Sequence, residues 1–122
     1  MIKSARIAPP NSLILITGSP ASADIPAWAP GAHIFSTRSS IAVGCKSEQD
    51  GSTEITIGAG DRVKLATPPV FDGTLQTPNR VVEVWTIEWH KVLEQKVSST
   101  QIRIRIWTNH QSEPDRILIG LA

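Results

Sequence analysis

The chain is short of several things, and each shortage excludes a class of protein. It holds one cysteine in 122 residues. No internal disulfide forms, and the domain does not depend on an oxidising compartment. It lacks an excess of charge of either sign: twelve Lys and Arg face eleven Asp and Glu, for a net charge of +1. Broad attraction to nucleic acid or anionic lipid needs such an excess, so nucleic acid is not an expected partner. No apolar run approaches membrane-spanning length, and no membrane association is expected. Tyrosine is absent and phenylalanine occurs twice, which leaves four tryptophans to supply most of the aromatic core.

The short patterns of catalysis are also missing. There is no Gly-x-Ser-x-Gly elbow, and no Ser or Cys falls beside a His–acid pair. No Gly-rich phosphate loop leads into a helix. Cys45 ends the apolar run Ile41-Ala-Val-Gly-Cys45, with only Lys46 to lower its pKa. It reads as a small buried apolar residue rather than a nucleophile. Asp24, Asp61, Asp72 and Asp115 sit at turns, where Asp bonds its own backbone. The loop Asn109-His-Gln-Ser-Glu-Pro-Asp115 holds a His and two acids, which loop chemistry accounts for. A non-enzyme is expected, with no cofactor and no metal.

What the chain does have is strand signal. Short β-branched runs are separated by Gly, Pro, Ser and Asn clusters. Strands are predicted near residues 3–8, 12–17, 32–37, 40–47, 53–58, 62–66, 70–76, 80–93, 100–108 and 116–121. Lys3 and Arg6 before Leu13-Ile-Leu-Ile16, with Ala21-Ser-Ala23 after it, imitate a signal peptide. The run is too short for a secretory segment, which needs about 7–15 apolar residues. It reads as a buried strand, and the protein as cytoplasmic. Residues 18–31, GSPASADIPAWAPG, carry prolines at 20, 26 and 30 that forbid a central strand; they form a surface loop bearing Trp28. The whole, residues 1–122, is a single domain. The expected fold is all-β, an antiparallel two-sheet β-sandwich of 8–10 short strands with little or no helix.

Two hairpins follow from parity. Pairing residue 43 with 57 and 45 with 55, across a three-residue Gln49-Asp50-Gly51 loop, puts Ile41, Val43, Cys45, Ile55 and Ile57 on one face. In VEVWTIEWHKV, residues 82–92, a strand reading sends Trp85, Ile87, Trp89 and Leu93 to one face and Glu88, His90 and Glu94 to the other. Ile102, Ile104 and Ile106 form the apolar face of the expected partner strand, and Arg103, Arg105 and Trp107 its opposite face. So Trp85, Trp89 and the isoleucines are expected inside, and Glu88, His90 and Glu94 beside the arginines outside. A helix is the alternative, since Val81, Val84, Trp85, Trp89, Val92, Leu93 and Val97 also fit helical spacing after Thr77-Pro78. The β-branched and aromatic content of 81–87 favours strand, and 90–97 stays open.

Glu88-x-His90 has metal-ligand spacing, but a site needs a third or fourth ligand, and nearby arginines repel a cation. A solvated Glu–Arg network, worth roughly 0.2–1 kcal/mol per pair, is the simpler account. Trp28 on its loop and Trp107 on the arginine face are candidates for a binding surface, because exposed Trp beside Arg is the composition of interface hot spots. The candidate partner-binding residues are therefore Trp28, Trp107, Arg103, Arg105, His90 and Glu88. The partner is another protein, or a second copy meeting an unpaired sheet edge.

The last fifty residues carry a resemblance. Phe71-Asp-Gly73-Thr-Leu75-Gln-Thr77-Pro78, then Ile102-Arg-Ile-Arg-Ile106, then Asp115-Arg-Ile-Leu-Ile119 resembles a pattern in small bacterial β-sandwich proteins. Their layout is similar to that of the competence-associated DNA-entry nuclease inhibitor and immunity-type proteins. The resemblance covers residues 70–121. It implies a non-catalytic protein-binding module of inhibitor type. A small-molecule-binding sandwich with a pocket near Trp28 is the alternative, and an enzyme with a loop-built site a second.

Overall fold

The computed structural model describes residues 2–22, 24, 26, 33–63, 65–110 and 113–122. Trp28 and most of the proline-rich loop lie outside the described residues. Ten strands run through the rest: β1 Lys3–Ile7, β2 Leu13–Thr17, β3 Ile34–Ser36, β4 Ser40–Gly44, β5 Thr53–Ala59, β6 Phe71–Gln76, β7 Val81–Thr86, β8 Lys91–Lys96, β9 Gln101–Thr108 and β10 Arg116–Leu121. They form two five-stranded sheets, β1-β5-β10-β9-β6 and β3-β4-β2-β7-β8. The expected all-β two-sheet sandwich is the fold found. One pairing departs from the antiparallel rule: β5 and β10 run parallel, with Ile55 opposite Ile117 and Ile57 opposite Ile119.

Alternation builds the core. Ile14, Ile16, Ile41, Val43, Val82 and Val84 point inward from the second sheet, and Ile55, Ile57, Ile104, Ile106, Ile117 and Ile119 from the first; all twelve are 0% exposed. Burying each of these side chains contributes about 1.5–3 kcal/mol. That places the core between the sheets and leaves polar residues on the outer faces.

Several expected pairings are corrected. β4 and β5 do not form a hairpin. They belong to different sheets, joined by a segment with a 3₁₀ turn at Glu48–Asp50. Their inward faces are nevertheless those expected, because parity is the same whether two strands pair side by side or face each other across the core. The predicted strand at 80–93 is two strands, β7 and β8, with a turn between them. Within the open segment 90–97, Lys91–Lys96 is strand, and its partner is β7 rather than the arginine-bearing β9. The predicted strand at 62–66 is instead a four-residue helix, α1 Gly60–Val63, followed by a segment leading to β6.

α1 lies on the outer face of the first sheet, against β5 and β10. Glycine permits this approach: a Cβ on Gly120 would sit 3.1 Å from the Trp107 ring and 3.2 Å from the Gly60 Cα. Trp107 is clamped beneath this segment, 3% exposed, with its Nε1–H donating to the Thr67 carbonyl at 2.8 Å. Gly120→Ala is therefore expected to destabilise the protein by about 1–3 kcal/mol by overpacking, read as a lower urea midpoint.

Candidate functional site

Strand register collects the loops that carry most of the unused chemistry at one end of the sandwich. Leu13 pairs with Gly44, and Ile14 with Thr86, so loops 8–12, 45–52 and 87–90 leave the second sheet together. The His33 carbonyl accepts from Gly44 N–H at 2.7 Å. In the first sheet Arg116 pairs with Glu54, which brings loop 109–115 to the same end. Lys46 N–H donates to the Pro114 carbonyl at 2.9 Å, and Lys46 Nζ lies 3.8 Å from Asp115. All three histidines, His33, His90 and His110, belong to this end.

Its charge is one-sided. Loops 45–52, 87–90 and 109–115 hold Glu48, Asp50, Glu88, Glu113 and Asp115 against Lys46 alone, a formal charge of −4. The whole chain is +1, so the remainder is +5. Near-neutrality in total conceals a molecule with an acidic end and a basic body. Glu48, Asp50, Glu88 and Glu113 are exposed. Asp115 is held below the usual carboxylate range, chiefly by the Asn109 amide hydrogen bond and then by Lys46. Beneath this end, Arg6 and Arg116 both reach Glu54, at 3.3 and 3.6 Å, on the outer face of the first sheet.

The turn between β7 and β8 presents an aromatic. Thr86 N–H donates to the His90 carbonyl at 2.9 Å, and Trp89 N–H to the Thr86 carbonyl at 3.0 Å. This is a three-residue loop, Ile87-Glu88-Trp89, whose last position is left-handed and normally glycine. Here it is Trp89, at φ 63°. A left-handed bulky residue costs about 1–2 kcal/mol. Trp89 is 45% exposed and meets Trp85 edge-on, with centroids 5.9 Å apart. Strain that holds an apolar ring in solvent points to use at that place.

The expected inward placement of Trp85 and Trp89 is corrected accordingly. Val82 and Val84 face the core. Trp85 is half-buried on the outer face, its Nε1–H donating to Glu83 at 3.1 Å, with Lys91 5.9 Å from its ring. Small β-branched residues fill the gap between sheets, and the larger indole lies across the outside.

The candidate partner-binding residues separate. Glu88 and His90 are exposed and flank Trp89 at the acidic end. Arg103 and Arg105 belong to the other sheet and do not accompany them. Arg103 forms a two-pronged pair with Asp72, at 2.6 and 2.8 Å, and Arg105 stacks on Trp107 at 5.6 Å. Trp107 is not a surface residue, because α1 and the following segment cover it. Trp28 lies outside the described residues. The sequence reading did not single out Glu48, Asp50 or Glu113, and it placed Trp89 inside. The Trp89 turn contains no Gly, Pro, Asn or Asp to betray it.

No nucleophile or metal centre emerges from the described residues. No group of three His, Cys, Asp or Glu is placed to hold an ion among them. Burial pushes the Cys45 thiol up to about 11. At pH 8 that leaves roughly one thiolate in a thousand. Native protein is expected to be inert to a thiol reagent at pH 8 and to react fully in denaturant. Rapid native labelling would contradict the burial.

A solved structure shares this fold. The crystal structure of ComJ, inhibitor of the DNA degrading activity of NucA, from Bacillus subtilis, matches with a TM-score of 0.73. The match spans 99% of this chain and 97% of that one, at 11% sequence identity. The resemblance noted in residues 70–121 thus extends to the whole chain as a likeness of fold. No family model and no curated protein matches the chain.

Proposed function

We propose that this protein is a non-catalytic inhibitor that binds a nuclease through the acidic loop end. The charge separation carries the reading. A nuclease must offer a positively charged cleft to its substrate, and a complementary −4 end on a rigid sandwich steers itself into such a cleft. The acids do there what phosphates do, and Trp89 supplies an apolar anchor at the same end, as interface hot spots require. The fold likeness to ComJ supports the same class, since ComJ is an inhibitor of the DNA degrading activity of NucA. The partner residues are Glu48, Asp50, Glu88, Trp89, His90 and Glu113, and the arginines of the first sheet lie outside the contact.

The experiment is depletion. Immobilised protein is incubated with lysate of its host, and DNA degradation is measured in the flow-through and in a 1 M salt eluate. The activity is expected to leave the flow-through and return in the eluate, because rim electrostatics are screened by salt. Activity that passes through undiminished would remove the proposal.

A further inference from the structure

Beside the acids lies an opening between the two sheets. It is a cleft of about 260 Å³ lined by His33, Ile34, Val43, Val70, His110 and Pro114, with Thr108 and Gly44. Its walls come from edge strand β3, its neighbour β4, the start of β6 and the β9–β10 loop. Val70, at the rim, is 56% exposed. A second slot of about 270 Å³ adjoins it, sharing His33 and Gly44, and is lined by Asn11, Ser12, Ser47 and Glu113. The first opening is apolar at its base, and the second offers hydroxyls, an amide and a carboxylate.

Size decides what such an opening holds. Pockets for drug-sized ligands run from about 300 to 1,000 Å³; this one, at about 260 Å³, lies just under that range and has room for an apolar side chain. The surrounding charge decides what flanks that side chain. Glu113 lines the adjoining slot, and Glu48 and Asp50 stand on the loop that follows Cys45.

We infer that the cleft receives one aliphatic or aromatic side chain from a basic segment of the partner, with the Lys or Arg two residues along lying in the slot beside Glu113. This rests on the acidic end being the contact surface, and specifies the chemistry that surface reads. Side chains two residues apart in an extended segment share a face and stand about 6.6–6.8 Å apart, so a Lys or Arg at the second position from the seated residue reaches the adjoining slot. The acids govern approach, and the cleft governs which basic segment is retained.

The test uses two acetylated and amidated pentapeptides, Lys-Arg-Leu-Arg-Lys and its counterpart with alanine at the centre. Each is titrated into the isotope-labelled full chain and followed by NMR. The leucine peptide is expected to shift the methyl resonances of Ile34, Val43 and Val70. It is also expected to bind at least about tenfold tighter than the alanine peptide, as lost methylenes in an apolar pocket dictate. Val70→Arg, at an exposed position, folds and abolishes that preference. Equal affinities, or shifts that spare the three methyl groups, overturn the cleft. Depletion of nuclease activity separates the two levels. If Val70→Arg depletes as well as wild type while a variant reversed at Glu48, Glu88 and Glu113 does not, the acidic-end reading stands and the cleft is overturned. If wild type depletes nothing, both fall together.

Discussion

Glu48→Lys/Glu88→Lys/Glu113→Lys is expected to weaken nuclease binding by about 100- to 1,000-fold, mostly in the association rate, with the fold unchanged. Three reversals convert the formal charge of the loop end from −4 to +2, each exchange adding two units to the starting value. Steering across complementary fields raises on-rates by about 10–10³-fold, and like charges facing each other cost several kcal/mol. The three glutamates are exposed, and surface substitutions of this kind stay within about 0.5 kcal/mol in stability. Asp115 is left in place because it bonds Asn109 and Lys46 and shapes the loop. Stopped-flow association at low and high salt checks this, with a urea titration as the folding control. Unchanged association in the triple variant would place the contact elsewhere on the surface.

Trp89 and Trp107 are expected to respond in opposite ways. Trp107→Ala removes a ring that is 3% exposed and strands the Thr67 carbonyl it bonds. A loss of about 3–5 kcal/mol follows, a fall in Tm of roughly 10–20 °C for a domain of this size. Trp89→Gly relieves a left-handed backbone worth about 1–2 kcal/mol and gives up an edge contact with Trp85 worth about 0.5–1.5 kcal/mol. The net change in stability lies between a loss of about 0.5 and a gain of about 1.5 kcal/mol. Binding is expected to weaken by at least tenfold, since a central aromatic anchor contributes about 2 kcal/mol or more to an interface. Denaturant unfolding and a binding titration on both variants separate the two roles. A Trp89→Gly protein that is badly destabilised, or that binds like wild type, would show the ring to be structural.

That contrast also marks the boundary of what the sequence discloses. Period-two alternation marked nine of the ten strand locations and the inward isoleucines of β4, β5 and β9, because burial on one face leaves a pattern that needs no knowledge of partners. Pairing is a different matter. β4 and β5 satisfy hairpin parity yet lie in opposite sheets, since facing across a core and pairing along an edge ask the same of alternation. The β7–β8 turn was invisible because Trp89 holds the place where glycine is the signal. Read through as one strand, 80–93 sent its tryptophans inward and set Glu88 and His90 against arginines that belong to the other layer. The helix Gly60–Val63 hid inside an alternating run, and with it the cover over Trp107. The acidic end was present as individual acids, but only the register shows three separate loops meeting there.

The central claim is that the acidic end occupies a nuclease's substrate cleft. Its most direct test is to purify the nuclease retained by the immobilised protein and titrate wild-type protein against its DNA-degrading activity, at two salt concentrations and two concentrations of DNA. The account requires stoichiometric inhibition that weakens as salt rises and as DNA rises, because protein and DNA contend for one basic surface. Inhibition indifferent to both would contradict it.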